Sequence, residues 1–366
     1  MGSPRTALSI FPIENSPVQI FLSEYVVGGG WPDDQPATNS LLAEGRAMLL
    51  ALVHDFSRLP DHRVVSTWSP RWGPPPTMPG VAWTLCQTNQ DERAAFEHYA
   101  ATSDATLIIA PETGGLLAER IQQAAAVSPR LLNCSPEVVQ LTGDKFCLFE
   151  HLQARNVPTP ATQLVNWQQP PDWQRGPWLV KPRDGAGSCL TFRLDNPADW
   201  QVAQQAYATT DGSSEAILQR YFEGQPGSMA AFFYPEIPPV WLPPARQNIA
   251  QDNGFSYHGG TIPWHVENCP QKDIERSLSM IAEAIGFGLQ GYVGFDFLID
   301  DRGNWTFLEV NPRLTSSYLG YRQLCPRNLA ELWLTESNRS PTWHTTDVTF
   351  TPTEAANFLR TGERPA

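Results

Sequence analysis

Residues 291–300, GYVGFDFLID, and residues 305–313, WTFLEVNPR, flank the polar link Asp301-Arg302-Gly303-Asn304. Two alternating runs across a four-residue link predict a hairpin. On its first strand the period of two puts Phe295, Phe297 and Ile299 on one face and Asp296 and Leu298 on the other. On its second strand the same period predicts Phe307, Glu309 and Asn311 on a single face. Asp296, Glu309 and Asn311 could then present three oxygen ligands on one surface. Such a set suits a hard cation such as Mg²⁺, which takes one or two carboxylates and completes its shell with water and nucleotide phosphates. An acidic face left in water would show the same alternation.

Upstream, Lys181 follows Trp178-Leu179-Val180 and precedes Pro182-Arg183-Asp184-Gly185-Ala186-Gly187-Ser188. A glycine-rich turn brings backbone N–H groups close to phosphate oxygens, and a strand-end lysine adds charge. No P-loop pattern accompanies it, and a plain hairpin would carry the same string. The runs WLVKP, LTFRL and AILQRYF between 177 and 222 read as strands, with a polar helix around 197–208, so this part predicts a small α+β lobe. Before it, Ser135 and Pro136 start one helix, and a second begins near Asp144 with Lys145 in its first turn.

The first 129 residues read differently. Residues 18–27, VQIFLSEYVV, predict a strand running into the loop Gly28-Gly29-Gly30, and Leu41, Leu42, Gly45, Met48, Leu49 and Leu52 recur at helical spacing. Strands at 63–67 and 106–110 alternate with helices at 91–101 and 116–127, which predicts a doubly wound parallel sheet. Residues 70–80 are a Pro-rich connector. Glu24 and Tyr25 sit at a strand end, where open α/β sheets place ligands, and are candidate substrate residues. The expected division is 1–129 for the α/β domain, 130–222 for linker helices and small lobe, 223–335 for a second lobe with the hairpin, and 336–366 for a C-terminal tail, either wrapping or partly disordered.

Composition bounds the function. The 366 residues are 41% hydrophobic and 17% charged, with a formal net charge of −13. A chain of this length predicts two or three domains, and its acidity disfavours nucleic acid as a partner. The six cysteines show no CxxC spacing, so reduced buried thiols are expected. The longest apolar run, Met48–Val53, is far short of the roughly 20 residues of a membrane span, and a cytoplasmic enzyme fits best.

Taken in order, Asp144-Lys145, VKPRDGAGS, LQRYFEG, GFDFLID and FLEVNPR resemble the ATP-grasp superfamily of ligases over residues 130–330. The resemblance implies two lobes that clamp ATP between antiparallel sheets. It implies that Lys145 and Lys181 contact phosphates beneath a loop containing Gly185, Gly187 and Ser188. Gln219 matches the partner of the adenine amino group, and Tyr221 and Phe222 match the hinge that holds the base edge. Asp296, Glu309 and Asn311 match ligands of Mg²⁺, for which Mn²⁺ could substitute, and Arg313 with Lys181 would act at the transferred phosphate. Two positions depart from the pattern. An acidic ribose partner is replaced by Pro226, with Glu223 the nearest carboxylate, and an arginine two residues before the metal aspartate is replaced by Gly294, for which Arg313 or Arg246 could substitute.

The words SEYVVGGG (23–30), EGRAML (44–49), IIAPETGG (108–115) and DKF (144–146) are similar to the tyramine–glutamate ligase branch. The implied reaction joins a carboxylate to an amine through an acyl phosphate, releasing ADP and phosphate, as in methanofuran-like one-carbon cofactor assembly. An amino-acid or peptide ligase with another acceptor, or a nucleotide-binding regulator without turnover, would share these motifs. Small-molecule substrates and a homodimer are the expected partners. His258, in SYHGG, is expected in a loop or in the substrate pocket.

Overall fold

Val18–Glu24 (β1), His62–Trp68 (β2), Val81–Leu85 (β3) and Ala105–Ile109 (β4) pair in parallel in the order β3-β2-β1-β4. The computed structural model describes residues 17–35, 37–185, 190–210, 215–250, 255–266, 269–335 and 340–353. The strands alternate with a helical turn at Tyr25–Gly28 (α1) and with helices Asn39–Phe56 (α2), Asn89–Thr102 (α3) and Leu116–Ala125 (α4). Successive residues of β1 face opposite ways. Ile20 and Leu22 share a core with Leu49, Leu52 and Phe56 of α2, while Phe21 packs on Phe96 of α3, 5.9 Å between ring centres, and clusters with Ile121 of α4. Helices on both faces make the sheet doubly wound, as expected.

Two local readings are corrected here. The strand at 81–85 lies beyond the Pro-rich connector and was not legible from the pattern, because it is a half-buried edge strand of only five residues. The chain after β1 does not enter a loop directly. Glu24 accepts a hydrogen bond from the Val27 amide at 2.6 Å, and this cap closes the turn α1 before Gly29 ends it.

Pro136–Gly143 (α5) and Lys145–Gln153 (α6) carry the predicted caps, Ser135 accepting from Val138 N and Asp144 from the amides of Phe146 and Cys147. Thr162–Leu164 (β5), Trp178–Pro182 (β6), Phe192–Leu194 (β7), Pro197–Ala208 (α7) and Ala216–Arg220 (β8) form the small lobe, an antiparallel sheet ordered β5-β8-β6-β7. Its own core joins Val180, Leu194 and Leu218 to Trp200, Ala203 and Tyr207 of α7.

The large lobe holds Gln225–Phe233 (β9), Val240–Trp241 (β10), Ala245–Ala250 (β11), Ser256–Ile262 (β12), Gln271–Ile285 (α8), Gly291–Ile299 (β13), Trp305–Asn311 (β14), Tyr318–Leu324 (α9), Glu331–Leu334 (α10) and Val348–Phe350 (β15). Its strands run β14-β13-β9-β11-β12-β15, with β10 on β9. The tail thus contributes an edge strand, β15 on β12. Helix α8 covers one face through Ile274, Leu278 and Ile281. The other face, with Phe232 and Tyr292, meets Tyr318, Tyr321 and Trp333 and reaches α2, where Phe56 lies 5.7 Å from Trp333. Helix α2 is therefore enclosed between the N-terminal sheet and the large lobe, which accounts for the unbroken apolar run Met48–Val53. Two of the three cores cross from the first 129 residues into 223–335, and only the small lobe packs around a core of its own.

The hairpin forms as predicted, but strict alternation fails on its second strand. Asp296 pairs with Glu309, and the next residue, Phe297, pairs with Phe307, so Leu308 is an extra residue, a β-bulge. Phe307 consequently turns into the core with Phe295 and Phe297, while Glu309 turns to the opposite side with Asp296. The expectation that Phe307, Glu309 and Asn311 share one face is corrected by that bulge. Among the described residues no helix is long and apolar enough to cross a membrane.

Candidate functional site

A cleft of about 310 Å³ opens where the small and large lobes meet the ends of the N-terminal sheet. The small lobe contributes Leu179 and Lys181 from β6, Gln219 and Arg220 from β8, and the hinge residues Tyr221 and Phe222. The large lobe contributes Gln247, Tyr257, Asp296, Leu298, Glu309, Asn311 and Arg313, and Lys145 enters from α6. The sequence order that suggested a common site is thus matched by a common location.

Burial and charge decide the state of each group. Lys181 is only 8% exposed, and burial pulls its ammonium down to about 8 while Glu309 pulls the other way. Lys145 lies 3.4 Å from Glu309 and donates to the Gly185 carbonyl at 2.9 Å. Asp296 accepts from Gln247 Nε2 at 3.0 Å and from Asn311 Nδ2 at 2.9 Å. Burial, and then the negative charge of Glu309, raise the Asp296 carboxyl to about 7. Burial also penalises Glu309, but Lys145 and Lys181 outweigh it and hold Glu309 below the usual carboxylate range.

These oxygens fit a hard divalent ion. Asp296 and Glu309 stand opposite each other on paired strands, and Asn311, whose Nδ2 is engaged, keeps Oδ1 as an acceptor. Among the described residues no group of three or more His, Cys, Asp or Glu side chains gathers as a metal cluster. Two carboxylates and one amide accord with the partial protein shell that Mg²⁺ accepts. The raised Asp296 marks a place where negative charge is costly and a cation would relieve it.

The end of the cleft that the resemblance would give to a nucleotide is built by backbone and sheet. Gln219 lines the cleft and donates to Thr162 Oγ1 at 2.7 Å, which fixes its amide. The Arg193 guanidinium lies over the Tyr221 ring at 4.4 Å and steadies the hinge. Gly185 has φ +116°, and a Cβ there would meet Thr113 Oγ1 at 3.2 Å, so the position favours glycine and close backbone approach. Gly187 and Ser188 lie outside the described residues.

Several expected site residues stand elsewhere. Glu223 is 79% exposed and turned toward Arg193 at 3.6 Å, outside the cleft wall, while Pro226 lines the cleft. Arg246 is exposed and donates to Gln225 at 2.9 Å, so it does not replace the missing arginine at Gly294. A side chain at Gly294 would itself meet Thr315 Cγ2 at 2.6 Å. His258 is exposed and hydrogen-bonded to Ser256 at 3.1 Å; the adjacent Tyr257 alternates inward instead. Glu24 is buried against Gly45 as the α1 cap, and Tyr25 packs beneath Arg120 at 5.0 Å. Neither Glu24 nor Tyr25 lines the cleft.

Arg313 does reach it, in a form the motif did not reveal. Glu112, beyond the end of β4, accepts from Arg313 Nε at 2.7 Å and from Nη2 at 2.9 Å, a bidentate clamp. The N-terminal residues on the cleft wall are Glu44 and Thr113. Glu44, Glu112 and Thr113 lie inside the words EGRAML and IIAPETGG, yet their neighbours in space come from residues 185 to 317 and leave no mark on local spacing.

Residues 142–317 match the ATP-grasp domain family, and residues 62–139 match the pre ATP-grasp 3 domain. The chain carries an ATP-grasp domain preceded by a pre-ATP-grasp domain. It is 30% identical over 185 residues to the D-alanine–D-alanine ligase of Francisella tularensis subsp. novicida, an alignment covering 49% of this chain and 60% of that protein. The match thus spans less than two thirds of those curated relatives. An ATP-grasp superfamily protein of Archaeoglobus fulgidus has the same fold, with a TM-score of 0.65 at 22% identity, covering 86% of this chain and 87% of that one. The L-amino acid ligase of Bacillus licheniformis shares it too, with a TM-score of 0.64 at 14% identity and 90% and 76% coverage. N5-carboxyaminoimidazole synthetase of Staphylococcus aureus, solved with ADP, gives 0.65 at 14% identity, with 92% and 83% coverage.

Proposed function

We propose that the chain is an ATP-dependent ligase that joins a carboxylate to an amine. The observation that carries this reading is the convergence of Lys145, Lys181, Asp296, Glu309, Asn311 and Arg313 on one cleft between two antiparallel sheets. In the proposed reaction the substrate carboxylate oxygen attacks the γ-phosphorus of ATP and ADP leaves. The amine nitrogen then attacks the acyl carbon, the C–O bond to phosphate breaks, and the nitrogen loses a proton to solvent.

Lys145 and Lys181 would hold phosphate oxygens, and Gln219 with the Tyr221–Phe222 hinge would seat the base. Asp296, Glu309 and Asn311 would hold Mg²⁺ or Mn²⁺. Such an ion supplies charge neutralisation at the transferring phosphoryl group. Arg313, immobilised by Glu112, would present its remaining N–H groups to the developing negative charge without reorganising. No side-chain nucleophile is required, and the cysteines described are mostly buried, with thiols raised by desolvation.

The acid and the amine are the finer part of the proposal. The words at 23–30, 44–49 and 108–115 favour glutamate and an aromatic amine, as in the tyramine–glutamate branch. The D-alanine–D-alanine ligase relatives favour an amino-acid or peptide ligase with another acceptor. Small-molecule substrates and a homodimer in the cytoplasm complete this reading. ADP release, measured for glutamate and other amino acids against a panel of aromatic and aliphatic amines, separates the two ligases. A chain that binds MgATP and releases no ADP with any pair would be a regulator without turnover.

A further inference from the structure

A second cavity, of about 510 Å³, opens at the β5 edge of the small lobe, and none of the proposed phosphate or metal residues takes part in it. Its walls include Gln163, Trp178, Leu218 and two arginines, Arg175 and Arg220, and among the described residues no carboxylate lines it. In a chain of formal net charge −13, a concavity with two guanidiniums and no acid is a local reversal of sign. Arg220 is held there by packing. It pairs with Trp178 across β8 and β6, and its guanidinium carbon lies 5.3 Å from the centre of the Trp178 ring. Gly176, at φ +93°, leaves it room, since a Cβ there would meet Nη2 at 3.2 Å. So placed, Arg220 makes no hydrogen bond or ion pair among the described residues, and its planar fork of N–H groups stays available to an acceptor. Arg175 pairs with Asp172 at 3.3 Å, but both side chains are more than half exposed, and such a pair gives way readily to a better acceptor. Trp178 Nε1 donates to the Asp172 carbonyl at 3.1 Å, which ties the Arg175 turn to the cavity wall.

We propose that this cavity is a regulatory site for a flat organic anion, an aromatic carboxylate, lying behind the strand that would seat the base of ATP. The two guanidiniums would take the carboxylate through paired N–H groups, and Trp178 and Leu218 would cover the ring. A compact hydrated anion would leave both of those apolar surfaces uncovered. Leu218, Gln219 and Arg220 are consecutive on β8, so the period of two turns Gln219 to the cleft and its two neighbours to the reverse face. Thr162, whose Oγ1 accepts from the Gln219 amide at 2.7 Å, itself lines the outer cavity. An occupant that displaces Thr162 or Arg220 therefore moves Gln219, and through it changes the affinity for the nucleotide. The coupling rests on the ATP reading of the cleft, whereas the site itself does not.

Naphthoate is the probe, with inorganic phosphate as a charge without a ring and naphthol as a ring without a charge. Titrated calorimetrically into the full chain, naphthoate is expected to bind and each control to bind at least tenfold more weakly. Arg175→Gln and Arg220→Gln should each weaken naphthoate at least fivefold with unchanged melting temperatures, whereas Lys181→Ala, in the cleft, should change it less than twofold. Saturating naphthoate should shift the MgATP Kd of the wild-type chain about fivefold and leave that of Arg175→Gln where it was. No naphthoate binding, phosphate or naphthol binding as tightly as naphthoate, or equal losses in Lys181→Ala and Arg175→Gln overturns the site. A MgATP Kd that naphthoate does not move overturns the regulatory role. A chain that binds naphthoate through the arginines but binds no MgATP overturns the nucleotide reading, and the regulation with it, and leaves the anion site standing. If Arg220→Gln fails to fold, Arg175→Gln, whose side chain is exposed, decides.

Discussion

At single residues, burial does more than sequence context to set chemistry. Lys181 is a strand-end lysine whose ammonium has lost most of its water, so it gains strongly from a phosphate and little from the apo fold. Lys181→Ala should weaken MgATP binding at least tenfold, by calorimetric titration, and leave the melting temperature unchanged or higher. Unchanged affinity in the folded variant would remove Lys181 from the phosphate site. Glu24 is the opposite case, a buried acid with a structural task. Burial pushes it up to about 7 from an ordinary 4.5, with the Val27 amide opposing. The folded chain then holds this proton more tightly than the unfolded one, so the contribution is full below about pH 4.5 and is lost as pH rises through 7. Glu24→Gln keeps an oxygen for the Val27 amide and abolishes the titration. It should stabilise the chain by about 2–3 kcal/mol at pH 8 and leave it within about 1 kcal/mol at pH 4, by denaturant unfolding. A loss of stability at pH 8 would argue against this account of the cap.

At the level of elements, one extra residue assembles the proposed metal site. The bulge at Leu308 separates Phe307, which belongs to the core, from Glu309, which belongs to the cleft. Glu309→Gln retains size and packing, so MgATP turnover should fall at least a hundredfold while the melting temperature moves by only a few degrees. Turnover within twofold of wild type would leave Glu309 a bystander. Deleting Leu308 makes Phe307 and Glu309 adjacent, and strict alternation then keeps them on the opposite faces they already occupy. A folded variant that still binds MgATP is the expected result, and loss of binding together with several kcal/mol of stability would show that the bulge shapes the site beyond setting the two faces.

Across the whole molecule, Arg313 and Glu112 join the large lobe to the N-terminal sheet, 201 residues apart in sequence. Both side chains are at least 88% buried, so removing one charge leaves the other unpaired. Glu112→Gln should destabilise the chain by about 3 kcal/mol and lower kcat more than it changes the ATP KM. Equal changes in kcat and in the ATP KM would mean that the clamp serves nucleotide binding instead. The same reach appears in α2, where Asp55 takes Arg322 at 2.5 Å and Tyr318 at 2.8 Å, so the N-terminal domain and the large lobe are held together at a second place.

What the sequence by itself determined was whatever short-range periodicity and capping control. The hairpin at 291–311, the helices capped by Ser135 and Asp144, the polar helix at 197–208 and the alternation of strands and helices before residue 130 all follow from neighbours a few residues apart. The motifs also singled out Lys145, Lys181, Gln219, Asp296, Glu309, Asn311 and Arg313, which line one cleft, because each sits at an element end or on a strand face that the local pattern orients. The tertiary structure alone decided that Glu24 and Tyr25 point into packing, that Tyr257 and not His258 faces inward, and that Glu112 holds Arg313. It also decided that Glu44 reaches the cleft and that Leu308 breaks the alternation. Those outcomes depend on which surfaces meet across a hundred residues or more, and desolvation at such contacts is a property of the assembled cleft that no local spacing records.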